Sequence, residues 1–253
     1  MTNFTPQEVG VVGEGRDETA DLVMQRGLDA TAGSVADVLD ADPDVVVALG
    51  ESALFDVVAA GATVPLLPVD AGRGVGGITS ESLSDALEAI ESAAFDVVEL
   101  PTLAVETDGE EHRALTDAML VTARPAHISE FGIHARGRDG ERRTVDTVRA
   151  DGVLVSTPAG GPEYADAVDA PRLGAGVDAV SVAPVAPFRI DRTDWVLGLP
   201  TTFTIEREET AVTLLVDDED VGLVDTDAEV TVERGEPVPV VQVPASRPLF
   251  GEE

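Results

Sequence analysis

The stretch Asp44-Val-Val-Val-Ala-Leu49 passes through Gly50-Glu51 into Ser52-Ala-Leu-Phe-Asp-Val-Val-Ala-Ala60, and Thr63-Val-Pro-Leu-Leu67 follows almost at once. The first piece is an unbroken apolar run of strand length. The second has helical spacing, and the third is a short apolar run next to Gly and Pro. Strand, helix and strand in that order form a βαβ unit, whose strands lie parallel. Working upstream, Glu8–Gly13 reads as a strand, Asp17–Gly27 as a helix and Ser34–Leu39 as a helix. Downstream, Glu81–Ala93 is a helix rich in Ala, Leu and Glu. Strands with helices between them imply a doubly wound sheet covered on both faces.

From Glu99 the pattern changes. His127–Arg136, Asp151–Ser156, Thr202–Glu206, Ala211–Val216 and Ala228–Glu233 alternate with period two, and helical spacing becomes scarce. Asp108-Gly109 and Asp139-Gly140 have the chemistry of hairpin turns. The expected class is therefore α/β plus all-β. Residues 1–100 form a Rossmann-like doubly wound α/β domain, and 101–246 form a C-terminal β-sandwich. A tail, 247–253, returns to the first domain. No internal repeat is visible.

Composition narrows the function classes. The chain has 253 residues, 49 Asp+Glu against 16 Lys+Arg, and a formal net charge of −33. All the basic residues are Arg. Without Lys there is no Schiff-base chemistry and no Walker-type phosphate loop, since both need the amine. Without Cys there is no disulfide, thiolate nucleophile or Cys-based zinc site. Nucleic acid is an unsuitable partner for so negative a body. No run approaches the roughly 20 apolar residues of a membrane span, and the polar start is unlike a signal peptide. A cytoplasmic protein is expected. The acids are spread along the whole chain, with few aromatics and small apolar side chains, a composition like that of proteins from salt-accumulating halophilic archaea. A high-salt cytosol is the expected setting, and a lone Asp or Glu then carries little functional weight.

Several segments are candidates for chemistry. Gly13-Glu-Gly15 follows the first strand, but Glu14, Asp17 and Glu18 would repel an anion, and an ordinary turn accounts for it. Gly50, Glu51 and Ser52 stand at the carboxyl end of an apolar strand entering a helix, where open α/β sheets bind ligands. Glu51 could equally be a first-turn carboxylate placed for the macrodipole. Asp70 to Gly77 holds Gly72, Gly74, Gly76 and Gly77, either a backbone cradle or a flexible connection. Asp151-Gly-Val-Leu-Val-Ser156-Thr157-Pro158 runs through Gly160 and Gly161 to Tyr164; Thr157, Gly160 and Tyr164 are placed to frame a base or ribose. His127 and His134 lie seven apart on an expected strand and so point to opposite faces, against a metal site. Asp217–Asp220 lacks the glycine and spacing of a calcium loop and reads as a solvated hairpin. The group Arg136, Arg138, Arg142, Arg143 and Arg149 either pairs with neighbouring acids or offers a positive wall to a nucleotide.

The order of these pieces resembles the NAD kinase family. That family carries a GGDG loop after an N-terminal strand, a later Asn-Glu pair, and a DG(x)3STPTGSTAY segment opening its sandwich. Asp151-Gly152 through Ser156-Thr157-Pro158-Ala159-Gly160 to Tyr164 is similar to that last segment. Ala183-Pro184-Val-Ala-Pro187-Phe188 looks like the family's TPICPH, with Phe188 in the His place. The Gly-rich loop after Pro65-Leu66-Leu67 is similar to GINxGxLGFL, with Asp70 in the Asn place. The resemblance covers residues 8–246.

The departures fall on the chemistry. GGDG stands here as Leu49-Gly50-Glu51-Ser52, so Glu51 occupies the Asp position. The Asn-Glu pair falls on Thr116-Asp117, so both carboxylates are kept with their lengths exchanged. Gly161, Pro162 and Glu163 replace Ser, Thr and Ala of TGSTAY. The resemblance implies binding of NAD between the domains and transfer of phosphate from ATP or polyphosphate, with Mg²⁺, to the adenosine 2′-hydroxyl. Glu51 would be the base. Gly50, Ser52, Asp70, Gly72, Thr116, Asp117, Asp151, Thr157, Gly160 and Tyr164 would hold the ligands, with Asp151 and Tyr164 on the adenosine part. A glycine requirement at position 52 would strain Ser52. The competing readings are a non-catalytic dinucleotide sensor and a kinase of another acceptor, lipid or sugar. Small-molecule partners, no protein-held metal and a homo-oligomer, dimer or tetramer, complete the expectation.

The charge yields a test. At molar salt the Debye length falls to roughly 3 Å, which removes most of the self-repulsion. The far-ultraviolet circular dichroism of the fold should be lost in dilute buffer and return above roughly molar KCl. A spectrum unchanged down to about 10 mM salt would sink the halophile reading.

Overall fold

The computed structural model describes residues 5–124, 127–162, 164–188, 193–207, 210–226 and 228–249. The chain divides into two compact units, one of residues 1–100 with 237–253 and one of residues 101–236. In chain order the first unit holds β1 (Glu8–Gly13), α1 (Arg16–Gln25), β2 (Asp29–Ala32), α2 (Val35–Asp40), β3 (Val45–Leu49) and α3 (Glu51–Ala59). β4 (Leu66–Val69), a 3₁₀ turn at Ser80–Ser82, α4 (Leu83–Glu91) and β5 (Asp96–Leu100) follow.

The second unit holds β6 (Leu103–Thr107), β7 (Glu110–Ala114), β8 (Asp117–Thr122), β9 (Ser129–Arg136), β10 (Arg142–Ala150), β11 (Gly152–Ser156) and α5 (Tyr164–Ala167). After these come β12 (Val180–Val185), β13 (Trp195–Leu197), β14 (Thr201–Arg207), β15 (Val212–Val216), β16 (Glu219–Val224) and β17 (Glu229–Arg234). The last strand, β18 (Val238–Gln242), belongs to the first unit.

The first sheet has the order β2-β1-β3-β4-β18-β5, parallel except for β5, which runs against β18. Val45–Ala48 is fully buried because helices cover both faces, as the unbroken apolar run requires. One face packs Val9, Val11, Val47 and Leu67 against Ala20 and Val23 of α1 and Leu83, Leu87 and Ile90 of α4. Those α4 positions recur at three- and four-residue steps, the stripe of a surface helix. α2 starts at a capping box: Ser34 Oγ accepts the Asp37 N–H, and the Asp37 carboxylate accepts the Ser34 N–H. The Ser34 hydroxyl also donates to the Asp37 carboxylate at 2.6 Å, and this bond first, with that from the Ser34 N–H, holds the Asp37 carboxyl below its ordinary value.

Three features differ from the sequence expectation. β4 begins at Leu66 instead of Thr63, because Pro65 has no N–H for the ladder, although its carbonyl still accepts from Val46 N–H at 2.9 Å. The short strands β2 and β5 were not foreseen. Residues 237–246, expected in the sandwich, leave it: β18 enters the first sheet between β4 and β5, with Val238, Val240 and Val241 wholly buried. The described part of the tail also lies in this unit, where Arg247 N–H donates to Gly77 O at 2.9 Å.

The second unit is a β-sandwich of two six-stranded sheets, ordered β10-β9-β14-β17-β6-β7 and β13-β12-β11-β8-β15-β16. Phe131, Ile133, Phe203, Ile205, Val230 and Val232 of one sheet meet Leu120, Val153, Val155, Val182 and Leu214 of the other. Asp108 and Gly109 both take positive φ, 52° and 82°, in the tight turn between β6 and β7. This is the geometry that hairpin twist favours. β9 begins at Ser129, so His127 lies outside it and the opposite-face argument from the His spacing does not hold.

Gly13 ties β1 to the turn after β3. A Cβ there would stand 2.2 Å from Leu49 O and 3.0 Å from Ala53 Cβ, at a φ of 99°. Gly13→Ala should cost on the order of 2–3 kcal/mol in guanidinium unfolding at molar KCl, through strain and overlap together. A midpoint equal to wild type would show that this packing does not constrain the fold.

Candidate functional site

The first unit's switch point lies where the chain winds away from β1 in both directions, to β2 on one side and β3 on the other. Crevices outside the carboxyl ends of such strands receive ligands in open α/β sheets. Gly13 pairs with Leu49, and Leu49 with Val69, so the turns after β1, β3 and β4 emerge together. Gly50 follows with φ 89° and ψ 163°, a conformation open in practice to Gly alone. Its N–H donates to Val69 O at 2.8 Å and its carbonyl accepts from Leu54 N–H at 3.3 Å. A Cβ on Gly50 would meet nothing within 4 Å, so the space in front of this backbone is open. Glu51 and Ser52 are the first two residues of α3, both exposed. Ser52 is helical, so the feared strain at position 52 is absent; the glycine requirement is at Gly50.

The loop from Asp70 to Gly77 is partly packed into its own unit. Ala71 and Val75 are buried, and Val69 and Ile78 form a bridge across its base. Gln242 Nε2 donates to Gly76 O at 2.9 Å, and a Cβ on Gly77 would stand 2.5 Å from Pro68 O. Asp70, at φ 52°, accepts the Ser80 N–H on its carboxylate at 3.2 Å and 3.3 Å. Gly72 takes φ 85° and its carbonyl receives Arg247 at 3.5 Å. Gly76 and Gly77 serve close packing of the chain on itself.

In the second unit, sequence-distant pieces converge. Asp117 pairs with Ser156, and Ser156 with Ser181, in one row across β8, β11 and β12. Thr157 N–H donates to Thr116 O at 2.8 Å, and Thr157 Oγ1 donates to Leu115 O at 2.7 Å. The same hydroxyl accepts from the N–H groups of Ala159 and Gly160 at 3.2 Å and 3.4 Å. Gly160 lies so close to this segment that a Cβ would be 2.4 Å from Thr116 O. Thr116, Asp117, Thr157 and Gly160 thus form one cluster. Thr116 is 4% exposed and its hydroxyl donates to Asp217 at 2.6 Å, so that proton is spent within the fold.

Two further expected members flank this cluster in the chain. Asp151 precedes β11, and Thr157 follows it, so the extended strand holds them roughly 20 Å apart. Asp151 is fixed at that other end by N–H donation to Val185 O at 3.0 Å and by Thr122 N–H on its own carbonyl at 2.8 Å. Near it, Phe188 is exposed with the Arg149 guanidinium 5.7 Å from its ring centre. Tyr164 starts α5 and is 43% exposed. Glu163 lies outside the described residues.

One participant was missed. Asp217, read from sequence as part of a solvated hairpin, turns inward from the β15–β16 turn onto Leu115–Asp117. No local pattern marks it among its acidic neighbours. Burial pushes its carboxyl above the ordinary value, against the pull of the hydrogen bonds it accepts. The arginine group reads as paired: Arg142 meets Glu229 at 2.7 Å, Arg143 meets Asp139, and Arg136 donates to Gly140 O at 3.0 Å. His134 bridges Thr204 and Thr144, and burial, with Arg142 adding to it, lowers its pKa. Among the described residues no three His, Asp or Glu side chains are arranged to hold a metal, and no helix is long and apolar enough to cross a membrane.

A family profile described as the ATP-NAD kinase C-terminal domain matches residues 115–241. An NAD kinase of Methanocorpusculum labreanum is 28% identical over 80% of this chain and 75% of its own length. An NAD kinase of Methanosarcina mazei is 30% identical over 56% of this chain, a segment spanning about half, 48%, of that protein. Among solved structures, an NAD kinase from Archaeoglobus fulgidus in complex with ATP superposes with a TM-score of 0.74 at 19% identity, covering 94% of each chain. Yeast NADH kinase complexed with NADH gives 0.77 at 15% identity, over 95% of this chain and 84% of that one. These two likenesses establish the fold. The profile does more, because it spans half of the chain and begins at the segment that Asp217 and Thr157 hold between them: the chain belongs to the NAD kinase family.

Proposed function

We propose that this chain transfers a phosphoryl group from ATP or polyphosphate to the 2′-hydroxyl of the adenosine ribose of NAD, forming NADP. The observation that carries the reading is the Gly50-Glu51-Ser52 turn at the switch point of the first sheet. There a Gly-only backbone and open space in front of it set an exposed carboxylate at the start of α3. Glu51 takes the proton of the 2′-hydroxyl as its oxygen bonds to the terminal phosphorus, and the bond from that phosphorus to the donor's bridging oxygen breaks. First-turn amides of α3 favour the negative charge of the donor. In the second unit, Asp117 and the Thr157–Gly160 turn hold the dinucleotide.

Mg²⁺ would come as a passenger on the donor, held mainly by its phosphate oxygens and water, with no cage of protein ligands needed. When bound it neutralises charge on the phosphates. The helical Ser52 weakens the sensor reading, because the turn keeps its glycine where the backbone needs one.

The test is turnover at molar KCl with ATP and with polyphosphate, using NAD and NADH as acceptors. Glu51→Gln keeps size and hydrogen-bond reach but cannot take the proton. It should reduce kcat by at least about 10²-fold while dinucleotide affinity stays within about twofold. A wild-type rate that ignores the substitution would remove Glu51 as the base. Absence of turnover in wild type, with dinucleotide still bound, would restore the sensor reading.

A further inference from the structure

The turn between β15 and β16 directs one carboxylate at three consecutive residues. Leu115 N–H donates to Asp217 Oδ2 at 2.7 Å; Thr116 N–H and Thr116 Oγ1 donate to Oδ1 at 2.8 Å and 2.6 Å, and Asp117 N–H reaches the same oxygen at 3.1 Å. Asp217 returns its own N–H to Asp117 O at 2.9 Å. From the other side Thr157 takes the remaining carbonyls, donating its N–H to Thr116 O at 2.8 Å and its hydroxyl to Leu115 O at 2.7 Å. Every main-chain polar group of Leu115, Thr116 and Asp117 named here is thus held by Thr157 or Asp217.

A carboxylate largely withdrawn from solvent is costly unless its lone pairs are filled. No cation pairs with Asp217 among the described residues, so that cost is met by amides and one hydroxyl, all from this tripeptide. The hairpin itself does not need it: β15 is already registered on β8 from Val212↔Thr122 to Val216↔Ala118. A ladder fixes where the strand runs, but it leaves open how the chain enters β8. The three amides on one carboxylate fix that entry, and Asp117 is the first residue of β8.

We infer that Asp217 is a positioning residue, which through the backbone of Leu115–Asp117 sets where the Asp117 carboxylate stands beside Ser156 and the Thr157–Gly160 turn. The inference rests on the reading above of Asp117 as a dinucleotide-site carboxylate. An Asn in this place would keep the shape but turn an amide donor toward one of the N–H groups, so size alone does not satisfy the position.

The experiment uses the full chain at molar KCl and the substitution Asp217→Asn. Hydrogen exchange at the amides of Leu115, Thr116 and Asp117 should quicken by about tenfold or more, while β9 and β14 of the other sheet stay within about twofold. NAD affinity by calorimetry should fall about tenfold in an otherwise wild-type chain, and less than about twofold further in an Asp117→Ala background. Unchanged protection at the three amides overturns the inference, as does an equal loss of affinity in both backgrounds, which would mean general loosening. Faster exchange with undiminished NAD affinity also overturns it. If Asp217→Asn does not fold, Thr116→Val removes one of the four bonds. It should quicken exchange and weaken NAD by about threefold, with the same overturning outcomes. A wild-type chain that binds no NAD overturns the dinucleotide reading, and the purpose assigned to Asp217 with it. That result is distinct from normal wild-type binding that Asp217→Asn leaves untouched.

Discussion

The insertion of β18 between β4 and β5 is the pairing on which the first unit depends. Among the described residues β5 pairs with β18 alone, with the register Val238↔Leu100 to Gln242↔Asp96, and Val241 adds to the same apolar layer as Leu67 and Val69. The contact reaches further than the ladder. Gln242 holds Gly76, and Arg247 holds Gly77, so the Gly-rich loop after β4 takes its shape from the returning end of the chain. A segment read from sequence as a ligand cradle or a flexible link is therefore a packed structural element. Its conformation is decided by residues more than a hundred positions away.

A chain without Lys and with a net charge of −33 has few cations with which to pair its acids, and the inward-facing carboxylates follow from that. Asp217 accepts three amides and a hydroxyl. Asp44 accepts the N–H groups of Gln7 and Glu8 at 2.7 Å and 3.1 Å; Asp37 closes the capping box of α2; Asp70 accepts from Ser80. In each case a carboxylate satisfies backbone donors where a strand or helix begins, so those N–H groups are not left orphaned. Exposed ion pairs such as Arg142–Glu229 add little by comparison, since solvent screens them.

What could be read in the sequence was what lies close together in it. The apolar run Val45–Leu49, the stripe along α4 and the Asp108-Gly109 turn each declare themselves within a few residues, and the class and both domains follow. The Gly50–Ser52 turn was legible for the same reason: a strand end and a helix start are adjacent. β18 was not, because Val238–Gln242 alternates like any sandwich strand and nothing local says which sheet it joins. Asp217 was hidden for a second reason. In a chain with 49 acids, one carboxylate that turns inward carries no signature among its neighbours. Asp151 shows what a continuous motif hides: an extended strand separates the ends of its own sequence by more than 3 Å per residue, so Asp151 and Thr157 stand at opposite ends of β11.

The surface charge and the proposed substrates pull in opposite directions, and the turn after β3 shows how the two are reconciled. NAD and ATP are anions, and the long-range field of this protein repels them. On the reading that the chain works at molar salt, that field decays over roughly 3 Å, less than the width of a phosphate group with its hydration shell. Recognition must then depend on groups in direct contact. The backbone is suited to this: a Cβ on Gly50 would meet nothing within 4 Å, and the N–H groups that open α3 carry their partial positive charge at hydrogen-bond range. Carboxylates elsewhere on the surface neither help nor hinder an anion at that distance. On that reading so acidic a surface is compatible with a phosphate site built from amides, and this turn needs no lysine to make one.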